Sequence, residues 1–399
     1  MRFAGIALFL ALASAPALAQ GAAGGKVDQK DVDAAIDKGA NFLAGNGGFG
    51  GEHFELVMYT LFHSGTFPRD DKRFLDGVKS MQERTLEKTY NVALTAMFLE
   101  AYDRVANQKR IAECAQFLVD NQCENGQWSY GEPMAGVEKP PDVGSGGSVG
   151  GARSGGTTTV KRVPIKRNRR GPPKGDHSNT QYAILGLRSC AVAEVMIPKE
   201  TWAEALKILE EAQDLKGSWG YAYYFDNGGV DPKKGGPKVT VNKNPGYGSM
   251  TAGCAGSLVI CKYYLKAHYG AKEDFKTDKS VKDALKWIAE NFTVEENAAY
   301  EKVKATASVP TGDKYTWHYY YLYALERVGM LGEFEIIGRH DWYQVGAKYL
   351  LAKQEASGMW KSPGAAGMGG PSPVTDTCFA ILFLRRATKP VVPKTTSGR

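Results

Sequence analysis

Gln213-Asp-Leu-Lys-Gly217-Ser-Trp219 is the stretch on which the fold turns, because it recurs. Gln122-Cys-Glu-Asn-Gly126-Gln-Trp128 precedes it and Gln354-Glu-Ala-Ser-Gly358-Met-Trp360 follows, so one pattern, Q-x3-G-x-W, occurs three times without error. Each copy follows a helical run and has an apolar residue five positions before its Gln, at Phe117, Ile208 and Tyr349. The chemistry of the pattern predicts a clasp. Gln sits at a helix end, where its amide can bond backbone groups left unpaired. Gly lets the chain turn sharply there. Trp then folds back as an apolar cover. Internal repetition of this kind signals a fold assembled from like units.

Working outward, an apolar helix that opens with polar residues follows each clasp, at 178–187, 250–259 and 376–384. Three further segments fit the same role, at 53–63, 89–101 and 317–328. They are apolar around most of their circumference, which predicts burial on nearly all sides. Amphipathic partners precede them at 31–44, 71–84, 107–121, 199–213, 279–291 and 341–354. Six hairpins of this kind close most simply into an all-α ring, an α6-α6 toroid with apolar helices inside and amphipathic helices outside. The connections 129–176, 220–247, 292–316 and 361–373 are long and should gather at one end of the ring as a decorated mouth.

Composition agrees with a globular chain. Of 399 residues, 43% are hydrophobic and 23% charged, which excludes wholesale disorder, collagen and coiled coil. The formal charge of +7 is concentrated in Lys161, Arg162, Lys166, Arg167, Arg169, Arg170 and Lys174. The Gly/Ser-rich insert 131–176 that carries this run reads as flexible, and without the run the body is nearly neutral. No nucleic-acid module accompanies it. Arg2, an apolar core at 6–13 and Ala17-Leu18-Ala19 read as a signal peptide, with the mature chain starting at Gln20. The expected organisation is a signal peptide at 1–19, a linker at 20–30, the toroid at 31–388 and a tail at 389–399. An exported protein that is not an integral membrane protein follows. The six cysteines lie in apolar helical patterns and read as small buried hydrophobes.

The three clasps resemble the QW repeats of squalene and oxidosqualene cyclases. The predicted ring resembles the α/α toroid that those enzymes share with the β subunits of protein prenyltransferases. The cyclase resemblance implies an acid motif, D-x-D-D-T-A, at the start of an inner helix. Its match here is Pro373-Val374-Thr375-Asp376-Thr377-Cys378, which retains only Asp376; Thr375 stands where the proton donor is expected. The prenyltransferase resemblance implies an Asp-x-Cys zinc pair, matched by Asp376 and Cys378, with His53 or His318 as the third ligand and one open position.

Beside the resemblance, the mouth carries its own candidates. Asp176 and His177 stand just before the third inner helix, and Glu52 and Glu55 flank His53. Pairs among such carboxylates, with Asp376, are the residue types a polysaccharide-active α/α enzyme needs. Tyr221, Tyr223, Tyr224 and Phe225 after the second clasp, and Tyr319, Tyr320, Tyr321 and Tyr323 on the fifth inner helix, suit a stacking wall for an apolar or sugar ligand. Consecutive tyrosines on a helix diverge, so only some of the second group can face one pocket.

The functional expectation is a non-catalytic or divergent toroid that binds an apolar, polymeric or protein ligand at its mouth. The alternatives are a terpenoid cyclase or prenyltransferase-type enzyme, with zinc as the cofactor of the latter, and a polysaccharide-active enzyme.

Overall fold

The computed structural model describes residues 25–46, 51, 53–133, 161–221, 223–226, 240–243, 245–270, 274–303, 312–363 and 371–392. Helices pair along the chain as outer then inner. The pairs are α1 (Gln29–Gly45) with α2 (Phe54–Ser64), α3 (Lys72–Glu83) with α4 (Thr89–Asp103), and α5 (Gln108–Asp120) with α6 (His177–Val192). Next come α7 (Lys199–Ala212) with α8 (Gly248–Tyr269), α9 (Lys279–Glu290) with α11 (His318–Gly332), and α12 (Trp342–Lys353) with α13 (Pro373–Arg385). A single short turn, α10 (Tyr300–Val303), decorates the connection from α9 to α11.

The inner helices α2, α4, α6, α8, α11 and α13 each pack on the next, and α13 packs back on α2. That closure makes the ring: the chain is an all-α α/α toroid of six hairpins. Four outer helices start at an Asp whose carboxylate accepts a first-turn amide, namely Asp28, Asp71, Asp278 and Asp341. Their burial is one-sided; α1 buries Val32, Ala35, Ile36, Gly39, Ala40 and Leu43, a single stripe. On α11 nearly every residue is buried, Glu326 and Arg327 included.

The clasps take one geometry three times. The indole N–H of Trp128, Trp219 and Trp360 donates to the carbonyl ten residues upstream, on Leu118, Leu209 and Leu350, at 2.6–2.8 Å. The backbone N–H of each Trp donates to a threonine hydroxyl of the following inner helix, Thr180, Thr251 or Thr377, at 3.0–3.2 Å. The Gln amide donates back to the carbonyl of the clasp Gly and across to the first turns of the next outer helix, at Thr201, Ser280 and Ala35. The clasp Gly stands at φ +91° in all three, where a Cβ would collide with the carbonyl of Glu204, Asp283 or Lys38. Each clasp therefore joins its own hairpin to the next one, and the third joins the last hairpin to the first.

The basic run is not loose over 161–176. Val163–Pro164 (β1) pairs in parallel with Val195–Met196 (β2). Arg167 and Arg170 meet Glu204 at 3.0 and 2.8 Å, Arg169 meets Glu132 at 3.6 Å, and Arg162 meets Glu194 at 3.7 Å. The buried Asp120 accepts from the amide of Asn168 at 2.7 Å. The expected flexible insert is thus a strap docked on acids of the outer wall from residue 161 onward; 134–160 lies outside the described residues. At the mouth, Tyr223–Asp226 (β3) and Thr240–Lys243 (β4) form an antiparallel pair.

The opposite end of the ring is closed by the segment after α13. Glu326 accepts the amide and hydroxyl of Thr388 at 2.9 and 2.7 Å, Arg188 donates to the carbonyls of Lys389 and Pro390, and Val391 bonds Leu331. The expected boundary at 388 is therefore too early, since 389–392 belongs to the ring. All six cysteines are free and buried. Among the described residues no helix is long and apolar enough to cross a membrane. The expected signal peptide, residues 1–19, lies outside the described residues.

The clasp geometry predicts a position-specific glycine effect. Gly217 and Gly270 both sit at positive φ, but only Gly217 has a carbonyl where a Cβ would go. In urea denaturation Gly270→Ala should cost about 1 kcal/mol, the left-handed penalty alone. Gly217→Ala should cost clearly more, and Trp219→Ala about 3–5 kcal/mol.

Candidate functional site

The head of α13 holds the residues that the resemblance singles out. Ser372 is the N-cap, and it forms a capping box with Thr375. Asp376 does not cap the helix. It lies in the first turn, 2% exposed, with Oδ2 accepting the amide of Ser362 at 2.7 Å and Oδ1 without a partner. Burial raises its pKa to about 7. Its charge is felt by Tyr319 and by Tyr349 of α12, which places it in the wall behind the third clasp. Phe379, by contrast, packs against Tyr320 and Tyr323 of α11. Thr375 stands one turn before Phe379 on that same face. The position where a proton donor is expected thus belongs to a hydroxyl engaged in capping.

Zinc does not find a ligand set here. Cys378 faces Thr60 of α2, and burial pushes its thiol up to about 12. His53 is an exposed residue at φ +59°, before the first turn of α2. His318 donates from Nε2 to the carbonyl of Val294 at 2.8 Å, and burial lowers its pKa to about 4. The four residues Asp376, Cys378, His53 and His318 do not converge, because two residues apart on one helix point to different neighbours. Among the described residues no group of three or more His, Cys, Asp or Glu could hold a metal ion.

The remaining candidates are held locally. Asp176 caps α6 by accepting the amide of Asn179 at 2.8 Å, and it also accepts the Ser178 hydroxyl at 2.6 Å. His177 is buried, donates from Nδ1 to the carbonyl of Gly220 at 2.8 Å, and leaves Nε2 unpartnered. Glu55 is bound by Arg84 at 3.1 Å. Glu52 lies outside the described residues, as do the side chains of Tyr223, Tyr224 and Phe225. Tyr319, Tyr320 and Tyr321 are all buried and none forms an open mouth. Tyr321 lies against Gly248 of α8, Tyr319 packs on His318, and Tyr320 alone points to the axis. At the mouth Tyr130 is 60% exposed, with its hydroxyl 3.3 Å from that of the half-buried Tyr221.

The axis itself holds a group that the sequence reading did not single out. Arg327 of α11 is buried, with its guanidinium 5.4, 5.5 and 4.5 Å from the ring centroids of Tyr182, Tyr320 and Tyr323. Its Nη2 donates to Gln181 Oε1 at 3.0 Å, which also accepts the Tyr320 hydroxyl, while Nη1 has no partner. Tyr182 of α6 stacks on Tyr320 at 6.2 Å although α6 and α11 are not neighbours in the ring. Side chains thus meet across the centre. The available signal was the Glu326-Arg327 pair inside an apolar helix, a placement that is rare without a partner.

No protein-family profile matches the sequence, and no curated protein matches it. In fold the chain is similar to the type II terpene cyclase MstE from Scytonema in its apo form, with 11% identity and a TM-score of 0.46 over 90% of this chain and 99% of that one. It is also similar to two variants of that cyclase in complex with geranylgeranyl dihydroxybenzoate. The first has 11% identity and a TM-score of 0.46 over 90% and 98% of the two chains. The second has 10% identity and a TM-score of 0.46 over 90% and 97%. The likeness is one of fold, and the ring described above stands on this chain's own helix contacts.

The raised pKa of Asp376 gives a signed pH effect. An acid that binds its proton more tightly when folded lends stability below its unfolded pKa and loses it as pH rises through the folded value. The stability of Asp376→Asn relative to wild type should therefore climb from about pH 4 through pH 7 and level above it, by about 4 kcal/mol at most. Buried His177 and His318 titrate in both proteins and cancel in the difference, which chemical denaturation across that range would measure.

Proposed function

We propose that this chain is an exported α/α toroid that binds rather than cyclises, meeting an apolar, polymeric or protein ligand at its mouth. The observation that carries the reading is Arg327. A cyclase needs an axis that welcomes positive charge, and here the axis holds one permanently. A guanidinium about 6 Å from a developing carbocation opposes it by about 3 kcal/mol at an effective dielectric of about 20, roughly a hundredfold in rate. The aromatic faces that could stabilise such a cation already stack on the guanidinium. Thr375 supports the same reading, since a hydroxyl is too weak an acid to protonate an alkene. The exposed Tyr130, beside Tyr221, offers the flat amphipathic contact that mouth binding needs.

A second reading, a terpenoid cyclase or prenyltransferase-type enzyme, draws on Asp376, a buried acid that is half protonated near neutrality and has one free oxygen. Incubation with squalene, oxidosqualene and geranylgeranyl dihydroxybenzoate separates the two. The binding reading expects no cyclised product by gas chromatography–mass spectrometry. It also expects saturable quenching of tyrosine fluorescence by a long-chain isoprenoid alcohol or an oligosaccharide, weakened at least tenfold by Tyr130→Ala. A cyclised product that disappears in Asp376→Asn would instead establish the enzyme. For export, N-terminal sequencing of the protein secreted by its host should begin at Gln20.

A further inference from the structure

The basic strap has two faces. Along 162–170 exposure alternates: Arg162, Pro164, Lys166, Asn168 and Arg170 are exposed, while Val163 is buried and Ile165, Arg167 and Arg169 are half-buried. A period of two marks an extended chain lying flat on the wall. The inward side anchors it. The Gln108 and Gln116 carboxamides donate to the carbonyls of Lys161 and Lys166 at 2.7 and 2.8 Å, and Arg167 and Arg169 reach Glu204 and Glu132. The outward side is therefore a cationic ridge that is ordered before any partner arrives, which lowers the entropic cost of binding.

Positive charge on the ridge is in excess. The seven cations of 161–174 meet Glu124, Glu132, Glu194 and Glu204, while Asp120 beneath them is taken up by the amides of Asn168 and Arg169. Arg167 and Arg170 share Glu204, and the Arg162–Glu194 pair is 3.7 Å long with both partners exposed, a contact worth little in water. Lys161 and Lys166 are exposed and have no ion pair among the described residues. Arg162, Lys166 and Arg170 follow one another every four residues, ~13 Å apart along an extended chain.

An exposed aromatic stands at either end. At the mouth, Arg169 donates to the carbonyl of Glu132 at 3.2 Å, two residues beyond Tyr130, which is 60% exposed. At the closed end, the hydroxyl of Tyr269, 36% exposed, donates at 2.6 Å to the carbonyl of Ile197, just past β2.

We infer that the strap binds a linear acidic polysaccharide, which lies along the ridge and stacks a sugar ring on Tyr130. The spacing of the cations suits a polymer whose charges are spread out; a nucleic-acid strand carries a phosphate about every 3.4 Å. A single strand also needs a row of stacking platforms, and the ridge itself exposes no aromatic. Between its cations it exposes Pro164 and Asn168, not the apolar side chains that enter a bilayer. The inference rests on the mouth as the place of binding and names the polymer that reaches it.

The test uses the full mature chain and the fluorescence anisotropy of labelled oligogalacturonate at about 50 mM salt. A neutral maltooligosaccharide of equal length, polyuridylate and phosphatidylglycerol vesicles are the competing probes. The expected result is saturable binding of the oligogalacturonate, at least tenfold tighter than each of the other three and weakened at least tenfold at about 300 mM salt. The double variant Lys161→Gln/Lys166→Gln removes two exposed, unpaired charges and should weaken binding at least fivefold. Lys279→Gln/Lys286→Gln removes the same charge from exposed positions of α9 and should change it less than twofold. Tyr130→Ala should weaken it at least fivefold. No binding of the oligogalacturonate, equal binding of any competing probe, equal losses in the two double variants, or an affinity that Tyr130→Ala leaves unchanged would each overturn the inference. If the acidic polymer fails while an isoprenoid alcohol or neutral oligosaccharide still binds through Tyr130, the inference falls and the proposed function stands. Loss of Tyr130-dependent binding for every ligand removes both.

Discussion

The ring depends on one repeated contact, an indole N–H bonded to the carbonyl ten residues upstream while its neighbouring Gln reaches the next outer helix. A two-helix hairpin cannot bury its apolar face alone; it needs the next hairpin beside it. The Trp closes the open end of its own hairpin. The Gln and the Gly set the distance to the following one, because the Gly leaves no room between its backbone and the carbonyl of Glu204, Asp283 or Lys38. The third clasp spans the seam: Gln354 bonds Ala35, near the two ends of the chain, and makes the ring a closed structure instead of an open superhelix.

Closure explains why the inner helices lack an amphipathic stripe. Each touches two inner neighbours, an outer helix and the axis, so all faces are buried. It also explains the uneven ends. At one end the inner helices begin, and the long connections have room there. At the other, the turns are short and the segment after α13 crosses the opening. Glu326 binds Thr388 there with both oxygens, and burial still raises its pKa to about 7. Its neighbour Arg327 points to the axis, so one buried charged pair serves two different tasks.

Helix pairs, ring order and clasp positions were legible because they rest on local chemistry: a period of apolar residues, and Gln, Gly and Trp at one fixed spacing. What was not legible depends on partners far apart in sequence. The strap at 161–176 looks flexible by composition, and it docks because Glu132, Glu194 and Glu204 wait on the wall. Asp376 looks like a helix cap or a ligand, yet Ser372 takes the cap and Cys378 turns to Thr60. Spacing placed Asp376 and Cys378 on one helix and His53 and His318 on its two neighbours. It could not reveal that side chains two positions apart leave that helix in different directions.

Two features mark the inner face of the ring. Thr375 removes the acid from the axis face of α13, and Arg327 fills the axis with a cation. Replacing Thr375 with an acid would put a carboxyl where a hydroxyl now bonds Ser372. It would also break the capping box that starts α13. Removing Arg327 instead would leave Gln181 and three tyrosines around a void, with the Tyr320 hydroxyl as the remaining donor to Gln181. The centre is therefore consistent with itself as packed structure, with Arg327 bonded to Gln181 and set against three tyrosine rings. At the mouth, the exposed Tyr130 stands beside Tyr221.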